Sequence, residues 1–237
     1  MSALAALPPA ALPPLRELTE ALVDAQGDNL AALVVYGSAV RGGWVEGVSD
    51  IDLVVVLRDT DPPRLKALAL PLLLARHKAR VEAMILKLDN LAAASDVFPL
   101  LYDDIRSRHA LLHGVDLFAA LTISDAHRRL RIEQELREAR IRMRRIVVDA
   151  MGAEESLVGP LIRKVRQVRS PLHALLSLRG VACDDGVESV LREAGQLYGL
   201  DTAPLLRVAG DAAAAHAAFR KLLDAAIEDV DKLVVAA

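Results

Sequence analysis

The sequence predicts an α/β domain over residues 1–121, in which helices flank a small sheet, followed by an all-α helical bundle over residues 122–237. Three observations lead there. Nearly continuous apolar runs of strand length, Ala31 to Tyr36, Asp52 to Leu57 and Arg80 to Leu86, alternate with helical stretches, as central strands covered on both faces do. Beyond Thr122 there is no convincing strand, and apolar residues recur at helical spacing. Between them, the stretch VVYGSAVRGGWVEGVSDIDLVVVL joins two strands through a Gly-Ser turn, a glycine-rich loop and an Asp-Ile-Asp triplet.

The N-terminal MSALAALPPAALPPLREL is apolar but lacks a basic leading segment, and Pro8-Pro9 and Pro13-Pro14 interrupt it. A flexible start followed by a helix is expected, not a targeting signal. Proline is tolerated in a first helical turn, so the helix runs from about Leu15 to Ala25. Leu18, Ala21 and Leu22 form its inner face, and Gly27 ends it.

Next come the first two strands and their connection. Residues i and i+2 of a strand share a face, so the carboxylates of Asp50 and Asp52 point the same way while Ile51 enters the core. Such a pair can hold one or two hard cations such as Mg²⁺. Gly37-Ser38 leaves a strand where a helix can begin, which offers N–H groups and a hydroxyl to phosphate oxygens. Arg41 is near enough in sequence to reach a phosphate, or faces solvent. Ser49 bonds a phosphate oxygen or caps the turn. Gly42-Gly43 lets the loop approach a ligand or move, and Trp44 anchors the loop.

Gly37-Ser38, the spacer Ala39 to Ser49, and Asp50-Ile51-Asp52 opening an apolar strand together resemble the nucleotidyltransferase superfamily that includes DNA polymerase beta. The wording GSAVRGGWVEGVSDIDL is most similar to the aminoglycoside adenylyltransferases, with minimal nucleotidyltransferases next. The resemblance implies a small mixed sheet flanked by helices, and makes residues 1–121 the nucleotidyltransferase domain. It implies that Gly37 and Ser38 bind the nucleotide, with Arg41 and Ser49 as further nucleotide-binding candidates from the loop, and that Asp50 and Asp52 are catalytic metal ligands.

Asp59 to Asp61 and Pro62-Pro63 mark a turn and a helix start, and LKALALPLLLARHK continues the helix, kinked or interrupted at Pro71. The third strand holds one acid, Glu82. A strand-edge glutamate can simply face water; an acid buried in an apolar strand needs a partner or a metal. In the aminoglycoside adenylyltransferases a Val-Glu pair opens the equivalent strand. The resemblance therefore makes Glu82 the general base, and a third metal ligand. Leu88 to Gly114 reads as a short helix, a break near Phe98-Pro99, and a second helix ending at Gly114. The resemblance to the aminoglycoside enzymes does not extend to this segment. An intrahelical Asp104–Arg108 pair is expected there; the alternative is that one of the two lines the cleft.

Ser124 or Asp125 caps a helix to about Ala150, with Ile132, Leu136, Ala139, Met143 and Ile146 as its buried stripe and Glu133–Arg137 and Glu138–Arg142 as i, i+4 pairs. Further helices follow over about Glu155 to Leu178, with a kink at Pro171, Val187 to Tyr198, and Ala212 to Val235. By resemblance, this domain closes over the acceptor, and Arg163, Lys164, Arg166 and Arg169 are candidates for pyrophosphate or acceptor contacts.

Composition narrows the partners. Aromatics are 3 % and the net charge is −3, which argues against stacking platforms and a phosphate-backbone surface, so nucleic acid is not an expected partner. Cys183 is the only cysteine, so no disulfide or cysteine metal site is expected, and a reducing, cytoplasmic setting follows. No apolar run is long enough to span a bilayer. The resemblance implies transfer of a nucleoside monophosphate, AMP from ATP, to a hydroxyl of a small-molecule acceptor with two Mg²⁺ ions. The alternative it leaves is an antitoxin-type minimal nucleotidyltransferase or regulatory module with a protein partner; the spacing of Arg166 and His173 loosely resembles the Arg–His motif of the paired helical toxins.

Overall fold

The computed structural model describes residues 7–235; the expected flexible start falls on residues 1–6, outside them. The chain forms two compact units that divide between Ile123 and Ser124.

In the first unit, a 3₁₀ turn at Pro9–Ala11 leads into α1 (Leu12–Gln26), which Gly27 ends at φ 52°. β1 (Leu30–Tyr36), the four-residue α2 (Ser38–Arg41) and β2 (Ile51–Leu57) follow. α3 (Pro62–Ala79) then crosses to β3 (Val81–Lys87). A parallel pair requires such a crossover, and β2 and β3 are parallel. The chain continues through a 3₁₀ turn (Leu88–Asn90), α4 (Leu91–Ala94), α5 (Pro99–Ser107) and β4 (Ala110–Gly114). The sheet is mixed, in the order β3-β2-β1-β4, with β1 antiparallel to both neighbours.

Strand alternation divides the apolar residues between two layers. Leu33, Val35, Leu53 and Val55 pack with Leu15, Leu18 and Leu22 of α1 and Leu68 and Ala75 of α3. Val34, Val54 and Val56 pack on the opposite face with Tyr102 and Ile105 of α5 and with Phe118. Each such side chain contributes roughly 1.5–3 kcal/mol when fully buried.

One expectation is corrected and another is narrowed. The segment read as a helix ending at Gly114 is α5 followed by the edge strand β4. The run Ala-Leu-Leu-His is too short for periodicity to separate helix from strand, and pairing with β1 decides it. Of the kink or interruption expected at Pro71, the interruption is absent: α3 runs through it. Proline removes one N–H bond there, and Leu68 and Ala75, buried on either side of it, keep the helix seated on the sheet.

The second unit is a helical bundle. α6 (Asp125–Asp149) is capped by the Ser124 hydroxyl, which accepts from the Ala126 N–H at 3.2 Å. α7 (Glu155–Leu178) runs through Pro171 and packs against α6, against α8 (Val187–Tyr198) and against α9 (Ala212–Lys232). Leu161, Val165, Leu172 and Leu175 of α7 are buried, as are Phe219, Leu222, Leu223 and Val230 of α9. A 3₁₀ turn at Ala203–Leu206 connects the last two helices. No helix among the described residues is long and apolar enough to cross a membrane.

Candidate active site

Tyr36 and Asp52 are antiparallel partners at the end of β1 and the start of β2, so the chain returns to Gly37 after the long loop. Gly37 has φ 74°, and a Cβ on it would lie 2.1 Å from Oδ2 of Asp52. Only glycine permits both that backbone and that approach. Ser38 opens α2 directly after it, and Arg41 closes it.

Asp52 is also the parallel partner of Glu82 in β3. Register partners share a face, so Tyr36, Asp52 and Glu82 lie on the side covered by α5. From α5, Asp104 accepts a hydrogen bond from Nη1 of Arg41 at 2.6 Å, both side chains being 19 % exposed. The expected Asp104–Arg108 pair is not formed, because Arg108 has left the helix in extended backbone.

The electrostatics centre on Asp52. Burial pushes its carboxyl from 3.8 up to about 6; Arg41 opposes the shift, while the charges of Asp50, Asp104 and Glu82 add to it. Burial likewise pushes the Tyr36 phenol up to about 12, helped by Asp52 and Asp104. Ionising Asp52 is therefore costly in this setting, and a cation beside its carboxylate would lower that cost.

Asp50 lies just before β2, in the loop, and its Oδ1 meets Nη2 of Arg80 at 2.8 Å. Arg80 takes the left-handed position after α3, at φ 53°, and its carbonyl accepts the Ile51 N–H at 3.0 Å. Glu82 meets Nη2 of Arg76 at 3.0 Å. Among the described residues no three His, Cys, Asp or Glu side chains are grouped to hold a metal ion, since Asp50 and Glu82 are each turned to an arginine. Both are about half-exposed, and exposed ion pairs of this kind contribute only about 0–1 kcal/mol. Turning their oxygens toward Asp52 is therefore a small cost, and three carboxylates are a donor set that Mg²⁺ accepts.

Ser49 accepts the Val45 N–H at 3.1 Å and closes the glycine-rich loop; its O–H remains a donor. Trp44 packs against the apolar layer beside α1 and anchors the loop. The sequence reading gave Tyr36 no role and left Asp104 between an intrahelical pair with Arg108 and a place lining the cleft. Strand parity was a usable signal for Tyr36, which has the parity of Val34. For Asp104 nothing local selected between its two readings, because α5 is placed by β4.

A family model described as a nucleotidyltransferase domain matches residues 15–141, more than half of the chain. No curated protein matches the sequence. Among solved structures, the chain is similar to a spectinomycin adenyltransferase from Enterococcus faecialis, solved with ATP and spectinomycin, at 12 % identity and a TM-score of 0.45, covering 92 % of this chain and 98 % of that one.

Proposed function

We propose that this chain, which belongs to the nucleotidyltransferase domain family, transfers a nucleoside monophosphate, AMP from ATP, to a hydroxyl of a small molecule such as an aminoglycoside-like acceptor. The observation that carries this reading is the seat of Asp52. It lies against Gly37 of the Gly-Ser turn and beside Glu82 in register, within the electrostatic reach of Arg41, Asp50 and Asp104, and its carboxyl is pushed up to about 6.

In this reading Ser38 and Ser49 donate hydroxyls to the triphosphate, and Arg41 supplies positive charge to it. Asp50, Asp52 and Glu82 would hold two Mg²⁺ ions, whose chemistry is Lewis-acid polarisation of the phosphoryl oxygens. Glu82 takes the proton of the acceptor hydroxyl as that oxygen bonds to the α-phosphorus. The bond from the α-phosphorus to the bridging oxygen breaks, and pyrophosphate leaves. The setting of the reaction is the cytoplasm.

Binding gives the first test. Mg²⁺ with ATP should raise the melting temperature, since a ligand at 100 times its Kd stabilises the native state by about 2.7 kcal/mol. Asp50→Asn with Asp52→Asn should abolish the metal-dependent part and leave the apo fold intact. An undiminished shift in the double variant would put the nucleotide elsewhere.

A further inference from the structure

α6 carries arginines along most of its length, and acids neutralise all but one of them. Each of the others meets an Asp or Glu within 4.0 Å, from its own helix or from α9. Arg144 meets none among the described residues, and neither does Arg220 on α9. The two converge on the same cavity, of about 210 Å³, together with Arg140, His216 and Asp224. The buried side chains of Met143 and Leu223 complete its lining.

The charge at this cavity is one-sided. Three guanidinium groups surround a single carboxylate, and Nη1 of Arg140 already donates to Asp224 at 3.1 Å. Nε of Arg140 is buried with no acceptor among the described residues. A desolvated N–H without a partner is costly, and so are like charges held together. Burial and the neighbouring Arg220 also push the His216 imidazole below its ordinary value. Guanidinium forks match phosphate oxygens in geometry as well as charge. The volume equals about seven waters at ~30 Å³ each, room for one or two phosphate groups and not for a polymer. The neutralised arginines along the rest of α6 likewise leave no track for a nucleic-acid backbone.

We propose that this cavity between α6 and α9 is a binding site for a small phosphate-bearing anion, held by Arg140, Arg144 and Arg220. Every residue lining it belongs to the helical unit, and none is among the residues assigned to the proposed transfer reaction.

The test follows the ring resonances of His216 in the full-length chain while pyrophosphate is added at constant ionic strength. Saturable movement is expected in the wild type. Arg144→Gln with Arg220→Gln should weaken the apparent affinity at least tenfold, with Arg144→Lys and Arg220→Lys intermediate. Arg145→Gln, which removes an arginine already paired with Asp149, should stay within twofold of wild type. His216 signals that do not move, that move equally with chloride, or that respond undiminished in the double variant would overturn the site.

Discussion

Asp52 and Glu82 stand opposite each other in the parallel register of β2 and β3, so both carboxylates leave the same face of the sheet. Asp50, two residues earlier, belongs to the loop and is held by Arg80. The half-buried acid of the Asp-Ile-Asp triplet thus has its structural partner on the next strand. Asp50 stands outside the sheet, and only a half-exposed ion pair, worth about 0–1 kcal/mol, holds its side chain away from the pair.

The raised value of Asp52 sets a pH dependence of stability. The folded value, about 6, is above the ordinary 3.8, so the native state holds the proton more tightly than the unfolded chain. The cost of ionising Asp52 is absent below 3.8, grows as pH rises to about 6, and is constant above it. Asp52→Asn should therefore be no more stable than wild type in acid and progressively more stable across that window. Paired urea titrations at several pH values measure the difference. A wild type that gains on the variant with rising pH would contradict the burial of Asp52.

Gly37→Ala should cost more than Gly42→Ala. Both glycines have positive φ, but nothing lies within 4 Å of a Cβ at Gly42, whereas at Gly37 it would meet Asp52. The backbone penalty alone is about 1–2 kcal/mol at either position. Gly37→Ala must in addition displace the carboxylate, bringing its total to roughly 2–4 kcal/mol. Denaturant unfolding of the two variants gives the comparison, and equal losses would mean that Asp52 does not rest against the turn.

The two arginine–aspartate pairs of the site should differ in coupling. Arg41 and Asp104 are mostly buried, and a double-mutant cycle on them should give about 1–2 kcal/mol. Arg80 and Asp50 are about half-exposed, and their cycle should give at most about 0.5 kcal/mol. Equal coupling energies would contradict the distinction between a fixed Arg41 and a releasable Asp50.

How much of this was legible in the sequence depended on whether the cause was local. β1, β2 and β3 announce themselves as apolar runs, and α7 and α8 were readable to their end residues from spacing and bounding loops. The closeness of Gly37, Asp52 and Glu82 follows from strand order and side-chain alternation. β4 was hidden because its few apolar residues fit either periodicity and only the edge of β1 selects the strand. Once β4 is missed, α5 has no reason to lie over the sheet, and the Asp104–Arg41 pair cannot be foreseen. The arginines that hold Asp50 and Glu82 were equally out of reach. One sits in a left-handed backbone position usually given to glycine, and the other extends from the last turn of α3.

Glu82 separates base from metal ligand. If it takes the acceptor's proton, Glu82→Gln should leave ATP binding nearly unchanged and lower kcat by about 10²–10⁴-fold. If it also holds metal, the affinity for Mg²⁺ with ATP should fall in parallel. Turnover that survives the substitution would leave Glu82 as an edge residue paired with Arg76.

The most direct measurement follows the α-phosphate itself. ATP labelled there is incubated with the chain, Mg²⁺ and a panel of hydroxyl-bearing small molecules that includes aminoglycosides. Label should pass to one acceptor with one pyrophosphate released per transfer, and Asp52→Asn should stop both. Label that remains in ATP across the panel, or that ends on a protein while no small molecule is modified, would contradict transfer to a small-molecule hydroxyl.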